Sequence, residues 1–188
     1  MTADTPEKLL VSVARILNNL GINYFVTGGF AVSVWGRPRA TFDIDIVIQI
    51  LESQVADLAQ ALKLLVKGGY LDEDTARAAA RKSSGGFNFI DSSTGLKVDF
   101  FVKKPDDFLF SQFKRRKIKI VGGEKIPFIS PEDLILNKLI WSKEGGSALQ
   151  IEDVKSILKI SGENLDKDYI NKWSRQLDVN NLLDDLQK

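Results

Sequence analysis

Asp43 and Asp45 stand two residues apart in Phe42-Asp43-Ile44-Asp45-Ile46-Val47-Ile48, a run otherwise apolar and mostly β-branched. Strands disfavour Asp, and a buried carboxylate without a partner is costly. If the run is a strand, alternation puts both acids on one face and Ile44, Ile46 and Ile48 on the other. Like charges so placed repel, and both ionise only when a cation sits between them. A divalent metal is the natural cation, and carboxylates are suitably hard ligands for it. Asp99 has a similar setting in Leu96-Lys97-Val98-Asp99-Phe100-Phe101-Val102, opposite an apolar face of Val98, Phe100 and Val102. Three carboxylates converge if the two strands are neighbours.

A lone Asp-x-Asp on a solvated strand face would be commonplace; here order and context add weight. Gly28-Gly29 comes first, at the expected entry of a short helix. Glycines there let backbone N–H groups approach an anion closely, and the helix dipole favours negative charge. Beside a metal site the natural anion is phosphate. Arg37 and Arg39 follow in a loop from which they could reach further phosphate oxygens. The chain has no Cys and no His. Thiol chemistry, disulfides, a Ser-His-Asp triad and most zinc or copper sites are thereby excluded. Oxygen-only ligands point to Mg²⁺ or Mn²⁺.

These residues need a scaffold, and 188 residues at 44% hydrophobic and 27% charged content can build one domain with a sizeable core. A net charge of +1 supplies no global field for nucleic acid or membrane. The N-terminus lacks a leader pattern and no apolar run approaches the roughly 18 residues of a membrane span, so the expected location is the cytoplasm.

Helical periodicity covers residues 5–20, with Leu9, Val13, Ile16, Leu17 and Leu20 on one face. Strands are expected at 23–27 and 41–50, with a short helix at 30–35 between them. Helices follow at 53–67 and 74–82. Strands at 86–91 and 96–102 flank a turn at Asp91-Ser92-Ser93-Thr94-Gly95, and two more fall at 117–121 and 125–129. From Ser130 the pattern is helical, opened by Ser130-Pro131-Glu132-Asp133 with cap, proline and first-turn acids in place, and continuing at 147–160, 164–177 and 179–187. The expected division is an α/β core, 1–129, and a helical subdomain, 130–188.

Gly28-Gly29, Gly36-Arg37-Pro38-Arg39-Ala40-Thr41, Asp43-x-Asp45 and Asp99 together resemble the nucleotidyltransferase superfamily of the polymerase-β type. More narrowly, the chain is similar to minimal nucleotidyltransferases and AbiEii-like toxin–antitoxin proteins, over roughly residues 8–160. Ser130-Pro131-Glu132-Asp133-Leu134 resembles the opening of the group's helical segment. The resemblance implies an α/β (α+β) fold with a small mixed sheet flanked by helices. It implies Asp43, Asp45 and Asp99 as catalytic metal ligands for two Mg²⁺ or Mn²⁺, with an NTP such as ATP as substrate. Gly28, Gly29, Arg37, Arg39, Thr41 and Lys138 would bind the nucleotide. Of an acidic D-x-x-D element only Asp153 matches, Gln150 standing in the first position, and as a plain helix residue Asp153 would be a surface acid. The activity implied is NMP transfer to an acceptor hydroxyl with release of pyrophosphate. The acceptor stays open among an RNA 3′ end such as that of tRNA, a hydroxyl on a cognate toxin or antitoxin protein, and a small molecule. A catalytically weak binding module of the same fold is the alternative. Separation of Asp99 from Asp43 and Asp45 would mean that the carboxylates are structural. The basic run Lys114-Arg115-Arg116-Lys117-Ile118-Lys119 is either an acceptor contact or a solvated edge strand.

Overall fold

The computed structural model describes residues 5–187; Met1 to Asp4 lie outside them. The first helix, α1 (Pro6–Asn19), is capped by the Thr5 side chain accepting from the Lys8 N–H and buries Leu9, Leu10, Val13, Ala14 and Leu17. It leads into β1 (Asn23–Thr27), which runs without a loop into α2 (Gly28–Trp35). Next come β2 (Asp43–Gln49), α3 (Val55–Leu65), β3 (Gly69–Leu71) and α4 (Glu73–Lys82). The hairpin β4 (Gly85–Asp91) and β5 (Lys97–Val102) turns on Asp91, whose buried carboxylate accepts from the Ser93 and Thr94 hydroxyls. After α5 (Asp107–Arg115), β6 (Lys117–Val121) and β7 (Glu124–Phe128), the chain is helical: α6 (Pro131–Gly145), α7 (Ala148–Ser161), α8 (Lys167–Gln176) and α9 (Asn180–Gln187).

The strands form one mixed sheet in the order β3-β4-β5-β2-β1-β7-β6. At its centre β2 pairs antiparallel with β1 and parallel with β5. One face of these strands carries Tyr24, Val26, Ile44, Ile46, Ile48, Val98 and Phe100, all buried in the core. The opposite face carries Thr27, Asp43, Asp45, Val47, Asp99 and Phe101, and α2, α6 and α7 pack against one another beside it. No helix among the described residues is long and apolar enough to cross a membrane.

Two elements were not foreseen. At three residues, β3 is too short to show alternation. Helix α5 is capped by Asp106, whose side chain accepts from the Leu109 N–H, and buries Phe108, Leu109 and Gln112 behind the loop-like Lys103-Lys104-Pro105. The basic run does not form one surface. Arg115 pairs with Glu132 and Asp166 and lies over the Tyr169 ring, Arg116 donates to the Tyr24 carbonyl, and Lys119 sits 4.1 Å from the Trp35 ring centroid. Its strand, β6, is a sheet edge with β7, β1 and β2 between it and β5.

Candidate active site

The parallel pairing of β2 with β5 sets Asp45 beside Asp99 and Asp43 beside Lys97. Parallel partners point to the same face, so the three acids stand on one side of the sheet as the alternation predicts. Next to them, the antiparallel pairing of β1 with β2 sets Thr27 opposite Asp45, and the chain turns there into α2. That turn needs glycine. Gly28 has φ of +61°, and a Cβ on it would lie 1.8 Å from Asp45 Oδ2. A Cβ on Gly29 would lie 2.6 Å from the Thr41 hydroxyl. Both approaches are closer than a side chain allows, so backbone N–H groups rather than side chains face the carboxylates and the space above them.

A cleft of about 420 Å³ opens over this face, lined by Thr27, Gly28, Gly29, Arg39, Thr41, Asp43 and Asp45, with Val47, Phe101 and Lys103 beyond them and Lys138, Trp141 and Gln150 supplied by α6 and α7. Thr27 Oγ1 is buried without a hydrogen-bond partner, and so is Gln150 Oε1. Burial, with Asp99 and Asp43 as like-charged neighbours, raises Asp45 from 3.8 to about 6, against the pull of Lys138 and the Gly29 amide. A carboxylate so placed is one that a cation would relieve.

Part of that positive charge is already present as Lys97. Its ammonium lies 2.9 Å from Asp99 Oδ2 and 3.9 Å from Asp43 Oδ1, and its hydrogen bond to Asp99 holds the Lys97 pKa above the ordinary lysine value. As the side chains stand, no three acidic groups among the described residues close around a single point. The backbone juxtaposes the three acids, while Lys97 draws Asp99 and the exposed Asp43 toward itself. The donor set nevertheless suits a hard divalent cation: only oxygen ligands, on one face, beside a turn that presents backbone amides.

Lys138 and Asp153, a lysine and an acid that on helices would ordinarily face solvent, are both buried. Lys138 Nζ lies 2.9 Å from Asp153, and Arg39 meets the same carboxylate through Nε at 3.0 Å and a second nitrogen at 3.1 Å. Burial alone would raise Asp153; the hydrogen bonds from Arg39 and Lys138 outweigh it and hold the acid below its usual range. This Arg–Asp–Lys bridge ties α6 and α7 to the loop before β2 and fixes both cations at the cleft wall. Arg37 is not brought into the cleft. Its backbone N–H donates to the Ser156 hydroxyl and its side chain is exposed, so the loop spends only Arg39 on the site.

Sequence reasoning missed Lys103, Thr27, Trp141 and Gln150 as members of the cleft, and Lys97 as the partner of Asp99. The two lysines had a signal: Lys97, Asp99 and Phe101 follow one alternation on β5, and Lys103 stands two residues on, just past the strand. Lys103 lines the cleft without a hydrogen bond or ion pair among the described residues, and burial pulls its ammonium below the ordinary lysine value.

The mixed sheet flanked by helices has the nucleotidyltransferase fold. Sequence comparison agrees: residues 9–157 match the profile of the aminoglycoside-2″-adenylyltransferase family, and the chain belongs to that family. No curated protein matches the chain in sequence. Among solved structures, ANT(2″)-Ia in complex with adenylyl-2″-tobramycin shares 13% identity, with a TM-score of 0.60 over 91% of this chain and 95% of that one. The lincosamide antibiotic adenylyltransferase LnuA, bound to lincomycin, shares 17% identity at a TM-score of 0.54, covering 84% and 99%. A nucleotidyltransferase from Thermotoga maritima shares 19% identity at 0.51, covering 74% and 86%. At these identities the structural likeness concerns the fold.

Proposed function

We propose that this cleft moves an NMP from an NTP to an acceptor hydroxyl, with Asp43, Asp45 and Asp99 as the metal ligands. The observation that carries this is the pairing of Asp45 with Asp99 across β2 and β5, one strand from the amides of Gly28 and Gly29. Mg²⁺ or Mn²⁺ held by the three acids, two ions in the chemistry of such sites, would neutralise triphosphate charge and polarise the α-phosphorus.

The residues do the rest by position. The amides of Gly28 and Gly29, at the start of α2, cradle phosphate oxygens, and Thr27 and Thr41 supply hydroxyls beside them. Arg39 and Lys138 face the cleft as cations of fixed position because Asp153 holds them, and they take up charge that develops on the leaving pyrophosphate. Asp99 faces the acceptor and accepts the proton of its hydroxyl. The hydroxyl oxygen bonds to the α-phosphorus, the bond from that phosphorus to the bridging oxygen of the β-phosphate breaks, and pyrophosphate departs with the electron pair.

The AbiEii-like setting is supported by the motif run and by the buried pairing of Lys138 with Asp153. The test combines nucleotide binding by calorimetry with pyrophosphate release, for the wild type and for Asp45→Asn, Asp99→Asn and Lys138→Met. Mg²⁺-dependent binding lost in Asp45→Asn, and turnover lost in Asp99→Asn with binding retained, support the assignment. Unchanged turnover in Asp99→Asn contradicts it.

A further inference from the structure

We infer that Gln150 reads the amino edge of the nucleobase, with Trp141 as the surface on which the base stacks. The inference rests on the reading above and names the determinant of base choice in the same cleft. Thr27 Oγ1 and Gln150 Oε1 line that cleft, buried and without a hydrogen-bond partner among the described residues. A buried acceptor left unpaired forfeits its bonds to water, and native proteins keep few such groups unless a ligand or an ordered water completes them. Thr27 stands opposite Asp45 at the glycine turn, the end assigned to phosphate. Gln150 stands at the other wall, on the first turn of α7, and has no part in the transfer chemistry.

The two helices set the distance of Gln150 from the phosphates. Lys138 on α6 and Asp153 on α7 meet at 2.9 Å. Helix residues three apart are neighbours on one face, so Trp141 lies one turn beyond Lys138 and Gln150 one turn before Asp153. The helices pack against each other across the short connection at Gly146 and Ser147, so both turns lead toward that connection and both side chains line the cleft. A turn rises about 5.4 Å, comparable to the span that a ribose sets between its phosphate and its base. Trp141 is half-buried, with the Lys138 ammonium 5.4 Å from its ring centroid. One helix thus offers a cation for the phosphates and, a turn later, an aromatic face for the base. Val47 and Phe101 are the other apolar side chains of the lining, a setting that favours stacking over solvation of a flat ring.

An amide oxygen accepts a hydrogen bond and gains nothing from a carbonyl. Adenine and cytosine carry an amino group at the edge where hypoxanthine and uracil carry a carbonyl. An amino-bearing base supplies the donor that Gln150 Oε1 lacks. Its carbonyl counterpart sets two acceptors against each other and leaves Gln150 unpaired, which is how a buried polar group rejects the wrong ligand.

Calorimetry on the full chain, with Mg²⁺ and no acceptor, compares ATP with ITP and CTP with UTP, pairs matched in ring size and differing at that edge. At least one amino-bearing nucleotide should bind about tenfold more tightly than its counterpart, and the pair that shows it separates adenine from cytosine. Gln150→Met should bring that ratio within about twofold by weakening the amino-bearing member, while Gln150→Glu, which only accepts, should keep the preference. Trp141→Ala should weaken both members about tenfold and leave their ratio unchanged. A merely structural Gln150 would move both members together and not their ratio. No preference in either pair, a preference for the carbonyl member, or a ratio that survives Gln150→Met overturns the inference, as does a Trp141→Ala variant that binds as well as the wild type. In each of those outcomes the nucleotide site itself still stands. A wild type that binds none of the four overturns this inference together with the nucleotidyltransferase reading beneath it.

Discussion

Asn in place of Asp45 should make the metal-free protein more stable at pH 8, even though it destroys the site. In the folded chain burial and the charges of Asp99 and Asp43 raise Asp45 from 3.8 to about 6. The folded state therefore holds a proton that the unfolded chain has released between those values. The stability linked to that proton is fully present below pH 3.8 and is lost as pH rises through 6. Above pH 6 the ionised carboxylate costs ~3 kcal/mol relative to the unfolded chain. A neutral amide side chain would remove that cost, and the pull of the Gly29 amide is already part of that value. The gain is about 3 kcal/mol, or a Tm higher by ~6–12 °C for a chain of this size. Thermal unfolding in EDTA at pH 8 and pH 4 measures it directly. The gain should shrink toward zero or reverse at pH 4, and Mg²⁺ should stabilise the wild type but not Asp45→Asn. A variant no more stable than wild type at pH 8, or a gain equally large at pH 4, refutes the reasoning.

Other substitutions follow from the same contacts. Gly28→Ala puts a Cβ on top of the Asp45 carboxylate at a positive φ, so it should lose nucleotide binding and destabilise by about 1–3 kcal/mol, read by calorimetry and chemical denaturation. Asp153→Ala leaves Lys138 buried without its partner and should cost about 3–5 kcal/mol, whereas Glu124→Ala, which breaks the exposed pair with Arg15, should cost under about 1 kcal/mol in the same assay. Lys97→Met removes the ammonium that competes for Asp99 and Asp43, so Mg²⁺ titrated without nucleotide should bind more tightly than to the wild type.

The sequence made the strand pair at the centre of the site visible because its signal is local. Asp43, Asp45 and Asp99 each interrupt an apolar alternation, and alternation alone decides which face they share. The side chains that tie the site together were less visible because their partners are distant in the chain. Asp153 looks like a surface helix acid until α7 is laid against the loop holding Arg39, 114 residues away. The basic run from Lys114 to Lys119 suggests a binding patch until the tertiary structure pairs Arg115 with Glu132 and stacks Lys119 on Trp35. Lys103 falls between these cases. Its place two residues after Phe101 was legible, but the cleft it lines is completed by Lys138 and Trp141 on α6, far along the chain.

The most direct test of the central claim is the fate of two labels on one nucleotide. The wild type, with Mg²⁺ and a panel of hydroxyl acceptors, would receive NTP labelled at the α-phosphate in one reaction and at the γ-phosphate in another. The account predicts α label on the acceptor and γ label in pyrophosphate, both abolished by Asp43→Asn with Asp45→Asn. Label from the γ-phosphate on the acceptor, or its release as orthophosphate with no α label transferred, would contradict it.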